Sequence, residues 1–480
     1  MRLTLRQYQQ ANTASIRQAY IDGKKAVLYV APTGSGKTVC FCYIAESAVQ
    51  RRKRIYICVH RRELIQQCSR SLTDAGVSHG VIAPGFLTST KHVQVCSVQT
   101  LVRRMDTLPK PDLLIVDEAH HLSSNQSSWR KVADYYAGCR ILGVTATPCR
   151  LDGAGLGVEV GGIFDSMVVG PSIQQLTDLG FITPCDVYSP PSDVNLDKLH
   201  TVAGDYAKDE MEAEMDRPVI TGNAVKHYSR ICPDVPAIAF CVSVQHAKNV
   251  AQEFMAAGFM AQAVDGTMRE EDRDIAMAGL RNGSIRIITS CEIISEGVDV
   301  PCVTAGIMLR PTESMGLWLQ QAGRILRPSA GKTKAIILDH CGNAMRHGLP
   351  HEDREWDLNA TKEDRRKKAS DAIPLRQCPK CFFVHHPLPK CPKCGWIYEI
   401  APRKVEEKDG ELKILSPEEF AVRREKMKAR QVQGQCKELK ALIQLAIQRH
   451  YKNPAAWAKY VWAGRQRQKD TYKAGEPAFI

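Results

Sequence analysis

Ala31-Pro32-Thr33-Gly34-Ser35-Gly36-Lys37-Thr38 follows a short apolar run, Ala26 to Val30, and precedes a helix-compatible run, Val39 to Gln50. The order is strand, glycine loop, helix. The pattern is that of a P-loop, with Ala31 where the strict form has glycine. Glycines let backbone N–H groups turn toward phosphate oxygens, and the positive end of the following helix dipole points at the same place. Lys37 is spaced to reach the β- and γ-phosphates, and the Thr38 hydroxyl to sit on Mg²⁺. Thr33, Gly34, Ser35 and Gly36 supply the cradle. A plain glycine-rich strand-to-helix turn has the same local pattern, so the rest of the chain decides.

Four apolar strands lie around this loop. Arg54 to Val59 ends at His60-Arg61-Arg62-Glu63-Leu64, and Val93 to Ser97 ends at Val98-Gln99-Thr100. Leu113 to Val116 delivers Asp117-Glu118-Ala119-His120, and Ile141 to Val144 delivers Thr145-Ala146-Thr147-Pro148. Apolar strands alternate with helical stretches, and polar residues gather at strand ends. That is a parallel doubly wound sheet with its site at the C-terminal ends of the strands. Asp117 suits a Mg²⁺ water shell, and its neighbour Glu118 suits orienting and deprotonating an attacking water. Ahead of the loop, Leu3 to about Tyr20 reads as a helix, and the Gln9 amide matches the amino group and ring nitrogen of adenine. A second set of strands is expected at Ala237–Cys241, Ile285–Thr289, Ala305–Leu309 and Ala335–Leu338. Gln320-Gln321-Ala322-Gly323-Arg324-Ile325-Leu326-Arg327 places two arginines three residues apart. On one helix face they would aim together at a γ-phosphate.

Ala31–Thr38, Asp117-Glu118-Ala119-His120 and Thr145-Ala146-Thr147 together resemble the first motor domain of a superfamily 2 helicase of the DEAH type. The resemblance covers about residues 1–345. It implies that Gln9 belongs to an adenine-reading motif. Arg61, Arg62, Gln99 and Thr100 would touch the nucleic-acid backbone, and Thr145 and Thr147 would couple the nucleotide to the strand. Gly297 and Asp299 would lie near the nucleotide, with Gln320, Arg324 and Arg327 at its phosphates. Gln320 where RNA helicases of the DEAD-box type have His, Thr145 in place of Ser, and the Ile325-Leu326-Arg327 ending look like the DNA-acting branch.

The 480 residues carry a net charge of +13, and all of the excess lies late in the chain. Residues 361–480 hold 27 Lys and Arg against 14 Asp and Glu, while the first 360 are balanced. On a nucleotide-driven motor, such a tail suits a polyanion such as DNA. Cys378-Pro-Lys-Cys381 and Cys391-Pro-Lys-Cys394 put four thiolates on two tight turns, a tetrahedral Zn²⁺ pattern with no open position. Few apolar residues surround them, so this module is expected to fold around its metal. His385 and His386 compete as ligands on spacing alone. Motor plus four-cysteine ribbon resembles bacterial RadD-like repair helicases and related phage or prophage helicases. Beyond the ribbon, Pro417 to Arg430 reads as a basic helix. Trp457, Tyr460 and Trp462 form either a small core or a base-stacking face.

The expected fold is therefore α/β: two tandem RecA-like P-loop domains with parallel sheets, a small zinc ribbon and a basic helical tail. The expected divisions are 1–170, the ATP-binding domain; 171–220, a connector carrying an acidic surface insertion at Asp205–Met215; and 221–345, the second motor domain. A basic linker follows at 346–375, the ribbon at 376–400 and the tail at 401–480. The expected activity is ATP-dependent movement on or unwinding of DNA, single-stranded or forked, in repair, recombination or phage replication. A duplex translocase and a non-hydrolysing nucleic-acid-binding adaptor remain alternatives. A replication or repair protein is a possible partner of the ribbon or tail. No apolar stretch approaches the roughly 18 residues of a membrane span. Residues 1–6 lack a signal-peptide core, so a cytoplasmic protein, bacterial or phage-encoded, is expected.

Overall fold

Continuous apolar strands fit a sheet covered on both faces, and two such sheets form. The computed structural model describes residues 4–60, 62–87, 89–122, 127–149, 153–191, 194, 196, 199–202, 205–291, 300–361, 364, 374–399, 432–433, 436, 438–451, 453–459 and 461–463. The chain divides into two units, 1–399 and 400–480.

In the first lobe α1 (Gln7–Ile21) leads into β1 (Ala26–Val30) and α2 (Lys37–Val49). Then come β2 (Ile55–Val59), α3 (Arg62–Asp74), β3 (His79–Ile82), β4 (Val93–Ser97) and α4 (Val98–Arg104). The lobe continues with β5 (Leu113–Asp117), α5 (Ser128–Tyr135), β6 (Arg140–Thr145) and β7 (Ser166–Val169), and α6 (Ile173–Asp178) follows with its Leu176 buried in the second lobe's core. The seven strands lie in the order β3-β4-β2-β5-β6-β1-β7. All pairs are parallel. One face of the sheet buries Ile16, Tyr29, Phe41, Ile57 and Leu72, and the other Leu28, Tyr56, Leu114, Trp129 and Phe164. This order sets the strand carrying the P-loop, β1, next to β6. Beyond β6 lies β5, which carries Asp117, and then β2, which ends at His60.

The second lobe starts with β8 (Cys185–Tyr188), β9 (Thr201–Val202), β10 (Asp205–Tyr206), α7 (Lys208–Met215) and α8 (Pro218–Ile231). It goes on through β11 (Ala237–Phe240), α9 (Val244–Ala256), β12 (Ala261–Val264), α10 (Glu270–Asn282), β13 (Ile287–Ser290) and β14 (Ala305–Met308). It closes with α11 (Met315–Ile325), β15 (Ala335–Asp339) and α12 (Asn343–His347). Its six-stranded parallel sheet runs β12-β13-β11-β14-β15-β8. The edge strand β8 thus comes from the segment read as a connector.

Two expectations about local structure change. The Asp205–Met215 stretch is not a surface insertion: α7 buries Met211 and Met215 in the second lobe's core. Asp205 accepts hydrogen bonds from Glu313 N at 2.8 Å and Thr312 Oγ1 at 3.0 Å. The acidic residues hid a methionine pair spaced i, i+4, which shares one helix face. Arg324 and Arg327 do not share a helix face either, because α11 ends between them with Leu326 as its C-cap. Pro328 follows Arg327, and the residue before a proline is driven out of the helical region.

After α12 the chain crosses back to the first lobe. Leu358 O accepts from Leu156 N at 2.7 Å and Gly157 N at 3.0 Å, and Asn359 Nδ2 donates to Glu159 Oε2 at 2.7 Å. Trp356 packs against core residues of both lobes. The ribbon then pairs β16 (Arg376–Gln377) with β17 (Val384–His385). It docks on β8, with Tyr188 bridged antiparallel to Phe383 and Ser189 N donating to Phe382 O at 2.9 Å. In the unit 400–480, the helix Leu439–Gln448 buries Leu442, Leu445 and Ala446, and the Tyr451 ring lies 4.9 Å from Trp457. The basic helix expected at Pro417–Arg430, and Tyr460, fall outside the described residues. Among the described residues no helix is long and apolar enough to cross a membrane.

Candidate active site and metal centre

The loop between β1 and α2 turns on two glycines in the left-handed region, Gly34 at φ 89° and Gly36 at φ 79°. A side chain at 36 would be strained there, and its Cβ would also stand 2.5 Å from Gln9 Nε2. Gln9 is buried. Its Oε1 accepts from Arg6 N at 3.0 Å and its Nε2 donates to Ser35 O at 3.1 Å. The Tyr8 hydroxyl donates to the same carbonyl at 2.8 Å. So the first residues of α1 hold the P-loop backbone from behind. Lys37 Nζ donates to Ala31 O at 2.9 Å and Pro32 O at 3.2 Å.

Charges from both lobes meet at Lys37. Burial pushes its ammonium below the usual lysine range, Glu118 and Asp117 oppose that, and Arg324 and Arg327 add to the depression. Burial also raises Asp117, to about 7, with the neighbouring Glu118 carboxylate as the second cause. A half-buried acid pair of this kind, facing a lysine and a glycine cradle, is the donor set a divalent cation and phosphates would charge-compensate. Glu118 has φ 50°, a left-handed conformation that non-glycine residues rarely adopt. Its carboxylate lies 3.3 Å from His120 Nδ1, which is 3.0 Å from Thr145 Oγ1. Thr147 N donates to Thr145 Oγ1 at 3.2 Å, and Thr145 Oγ1 to Thr147 O at 3.0 Å. Thr145 and Thr147 are both buried, and Thr145 reaches the acid pair through His120.

The second lobe abuts this centre through α11. A Cβ on Gly323 would stand 2.6 Å from Thr33 Cβ, and one on Gly316 3.0 Å from Thr147 Oγ1. Gln320 is buried in the same helix. Thr183 N donates to Leu326 O at 2.8 Å, tying the segment before β8 to the end of α11. Gln99 is exposed and Thr100 buried at the start of α4, and Arg62 is exposed at the start of α3. Arg61, Gly297 and Asp299 lie outside the described residues. Sequence reading missed Tyr8, whose place beside Gln9 was the available signal. It also missed the return segment 354–360, which has no periodicity to flag it.

The four ribbon cysteines do converge. Their sulfurs all lie within 4.8 Å of one another, with Cys378 to Cys394 at 3.6 Å and Cys381 to Cys391 at 3.7 Å. The residues Phe382 (φ 66°) and Gly395 (φ 71°) follow the two CxxC turns in the left-handed region. Burial raises the Cys378 thiol, but N–H groups of Cys381 and Lys380 and the Cys394 thiol outweigh it and bring the group down to about 6. Burial and the neighbouring sulfurs push Cys381 up in the same cluster, so it is the convergence of all four sulfurs that suits a metal. His385 is committed elsewhere, with Nε2 2.8 Å from Tyr398 OH and Nδ1 2.6 Å from His386 O.

Comparison with known proteins agrees with this geometry. Residues 2–150 match a family model described as type III restriction enzyme, res subunit, and residues 225–329 one described as helicase conserved C-terminal domain. A 51.5 kDa protein of a Lactococcus phage (isolate 7-9) is 33% identical over 350 residues, which is 73% of either chain. IRC3 of Saccharomyces cerevisiae, named as a candidate ATP-dependent helicase, is 27% identical over 407 residues. Those cover 78% of this chain but 58% of the yeast protein. The solved structure of the type ISP restriction-modification enzyme LlaBIII bound to DNA shares the fold at a TM-score of 0.54 and 17% identity. The match covers 76% of this chain and 29% of that one. The chain belongs to the superfamily 2 helicases. It is an ATP-hydrolysing nucleic-acid helicase with two RecA-like lobes.

Proposed function

We propose that this helicase is a DNA motor whose ATP site is shared between the two lobes. The observation that carries the reading is that α11, which holds Arg324, abuts the P-loop at Thr33 from the other lobe, with Asp117, Glu118, Arg324 and Arg327 all acting on Lys37. Lys37 and the N–H groups of Thr33–Thr38 hold the phosphates, and Gln9 and Gln320 complete the nucleotide's surroundings with Gly297 and Asp299. Thr38 and Asp117 are the residues that would hold Mg²⁺, which would supply charge neutralisation at the phosphates. Glu118 takes the proton of the attacking water. Arg324 and Arg327 meet the charge that develops as the γ-phosphoryl leaves. Because those arginines belong to the other lobe, closure completes the site and hydrolysis releases it.

Arg61, Arg62, Gln99 and Thr100 follow strand ends on the first lobe and grip the DNA backbone, with Thr145 and Thr147 linking grip to hydrolysis. DNA is favoured over RNA by Gln320 and the Ile325-Leu326-Arg327 ending, single-stranded or forked over duplex. Cys378, Cys381, Cys391 and Cys394 hold a structural Zn²⁺, since four thiolates leave no position for water. The phage relative fits a phage-encoded protein acting in the host cytoplasm, and the role that goes with the motor is replication, recombination or repair, with a replication or repair protein as partner of the ribbon or tail. In this reading the second motor domain begins before 221, because β8 belongs to its sheet and α7 to its core; the other limits are those expected from the sequence.

The test is steady-state ATP hydrolysis with single-stranded, forked or duplex DNA or with RNA, beside Glu118→Gln. Stimulation by single-stranded or forked DNA, lost in the variant, is expected. Stimulation by duplex alone would make the protein a translocase, and by RNA alone would overturn the substrate. ATP binding with no hydrolysis under any condition would favour the adaptor.

A further inference from the structure

Two histidines outside the assigned sites bridge the strand end of the DNA grip and the hydrolytic carboxylate. Strands β2 and β5 are neighbours, so His60 at the end of β2 faces the turn that follows β5. The His60 ring meets His121 edge-on at 4.9 Å, and His121 lies 4.3 Å from His120. On its far side His60 stands 6.3 Å from the buried Trp129 of α5. His120 in turn touches both Glu118 Oε2, at 3.3 Å, and Thr145 Oγ1, at 3.0 Å. A continuous chain of rings therefore runs from the residue preceding Arg61-Arg62 to the base itself. Glu118 is in a strained left-handed conformation, which persists only where its surroundings over-determine it. A displaced His120 would redirect its carboxylate, and catalytic carboxylates tolerate little misplacement.

We propose that His60 and His121 are positioning residues that transmit occupancy of the DNA track to Glu118, raising turnover when DNA is bound and leaving basal turnover alone. The proposal rests on the reading that the residues after His60 meet the DNA backbone. The coupling is mechanical. A shift of the β2 end moves His60 against His121, and His121 moves His120. It needs flat rings in contact and no change of protonation.

The experiment uses the full chain with Mg²⁺-ATP and a single-stranded oligonucleotide. It measures basal turnover, DNA-stimulated turnover and DNA affinity by anisotropy for wild type, His121→Ala, His60→Ala and His121→Phe. The alanine variants should keep basal turnover and DNA affinity within about twofold and lose about tenfold or more of the stimulation. The aromatic His121→Phe should restore most of it. Four results would overturn the relay: full stimulation of both alanine variants, equal loss of basal and stimulated turnover, loss of DNA affinity with turnover at saturating DNA intact, or no rescue by phenylalanine. Absence of stimulation in the wild type would instead sink the underlying DNA reading, so the two failures are distinguishable. Should His121→Ala melt below the assay temperature, His60→Ala and His121→Phe still decide the matter.

Discussion

In the proposed mechanism Glu118 is the residue on which the chemistry turns. It follows the half-buried Asp117, in a left-handed turn, with His120 against its carboxylate. Removing its basicity while keeping its shape should separate binding from hydrolysis. Glu118→Gln is expected to lower kcat by about 10²- to 10⁴-fold while ATP affinity stays within a few-fold. ATP hydrolysis near the wild-type rate would remove Glu118 from its role. Gly323 tests the same centre from the other side. Its missing Cβ would stand 2.6 Å from Thr33 Cβ, so Gly323→Val must hold the lobes apart or distort α11. Turnover should fall by at least about tenfold with the melting temperature nearly unchanged, because the clash is between lobes and not within a core. A normal turnover would mean that the lobes do not need this approach. The sequence displayed Glu118 openly, as an acid at the end of an apolar strand. It did not display the reason Gly323 is glycine, since that reason lies some 290 residues away, at Thr33.

At the scale of elements, parallel strands were readable because burial on both faces makes them uniformly apolar, as in Leu113–Asp117 and Ile55–Val59. Elements whose surface is polar were less readable. The acidic helix Lys208–Met215 concealed a buried methionine pair, and the arginine pair straddles a helix end imposed by Pro328. The ribbon was legible as four cysteines, but its docking on β8 was not, since that contact comes from an edge strand and from the ion pair of Lys393 with Asp186 at 2.7 Å. This docking gives metal removal a consequence beyond the ribbon. Chelation should uncover the β8 edge and lower the melting temperature of the full chain by several degrees. An unchanged melt with the metal gone would show that the second lobe does not depend on the ribbon. The second lobe also has a pH signature. Burial lowers His246 to about 4 and His340 to about 3, and His246 Nδ1 accepts from Val242 N at 3.3 Å, as only an unprotonated nitrogen can. Both are neutral in the fold. As pH falls below about 6.5 the unfolded chain takes up protons that the fold refuses, so stability is lost progressively toward pH 4. For His246 the loss is about 2 kcal/mol by pH 5. Urea midpoints should fall over that window, and His246→Gln should flatten the slope. A midpoint independent of pH would contradict the buried-neutral assignment.

In the molecule as a whole, the strand-end loops of the first sheet meet α11 of the second lobe. The segment 354–360 carries the chain from the second lobe back to the first, with Trp356 packed against both. The sequence shows the two lobes because each repeats the alternation of strand and helix. The crossing segment has no such pattern and is defined only by its partners, Leu156, Gly157 and Glu159. The proposed site, assembled from two bodies, would let ATP drive motion, since the groups that bind the nucleotide and the groups that finish its hydrolysis would separate when the cleft opens. The most direct measurement is single-turnover hydrolysis of pre-bound ATP by the full chain carrying Arg324→Ala, beside its ATP affinity and its melting temperature. The account predicts unchanged melting, affinity within a few-fold of wild type, and hydrolysis slowed by about 10³-fold or more, as for loss of an arginine finger. Hydrolysis at the wild-type rate would mean that the first lobe completes the chemistry alone, and the shared site would have to be abandoned.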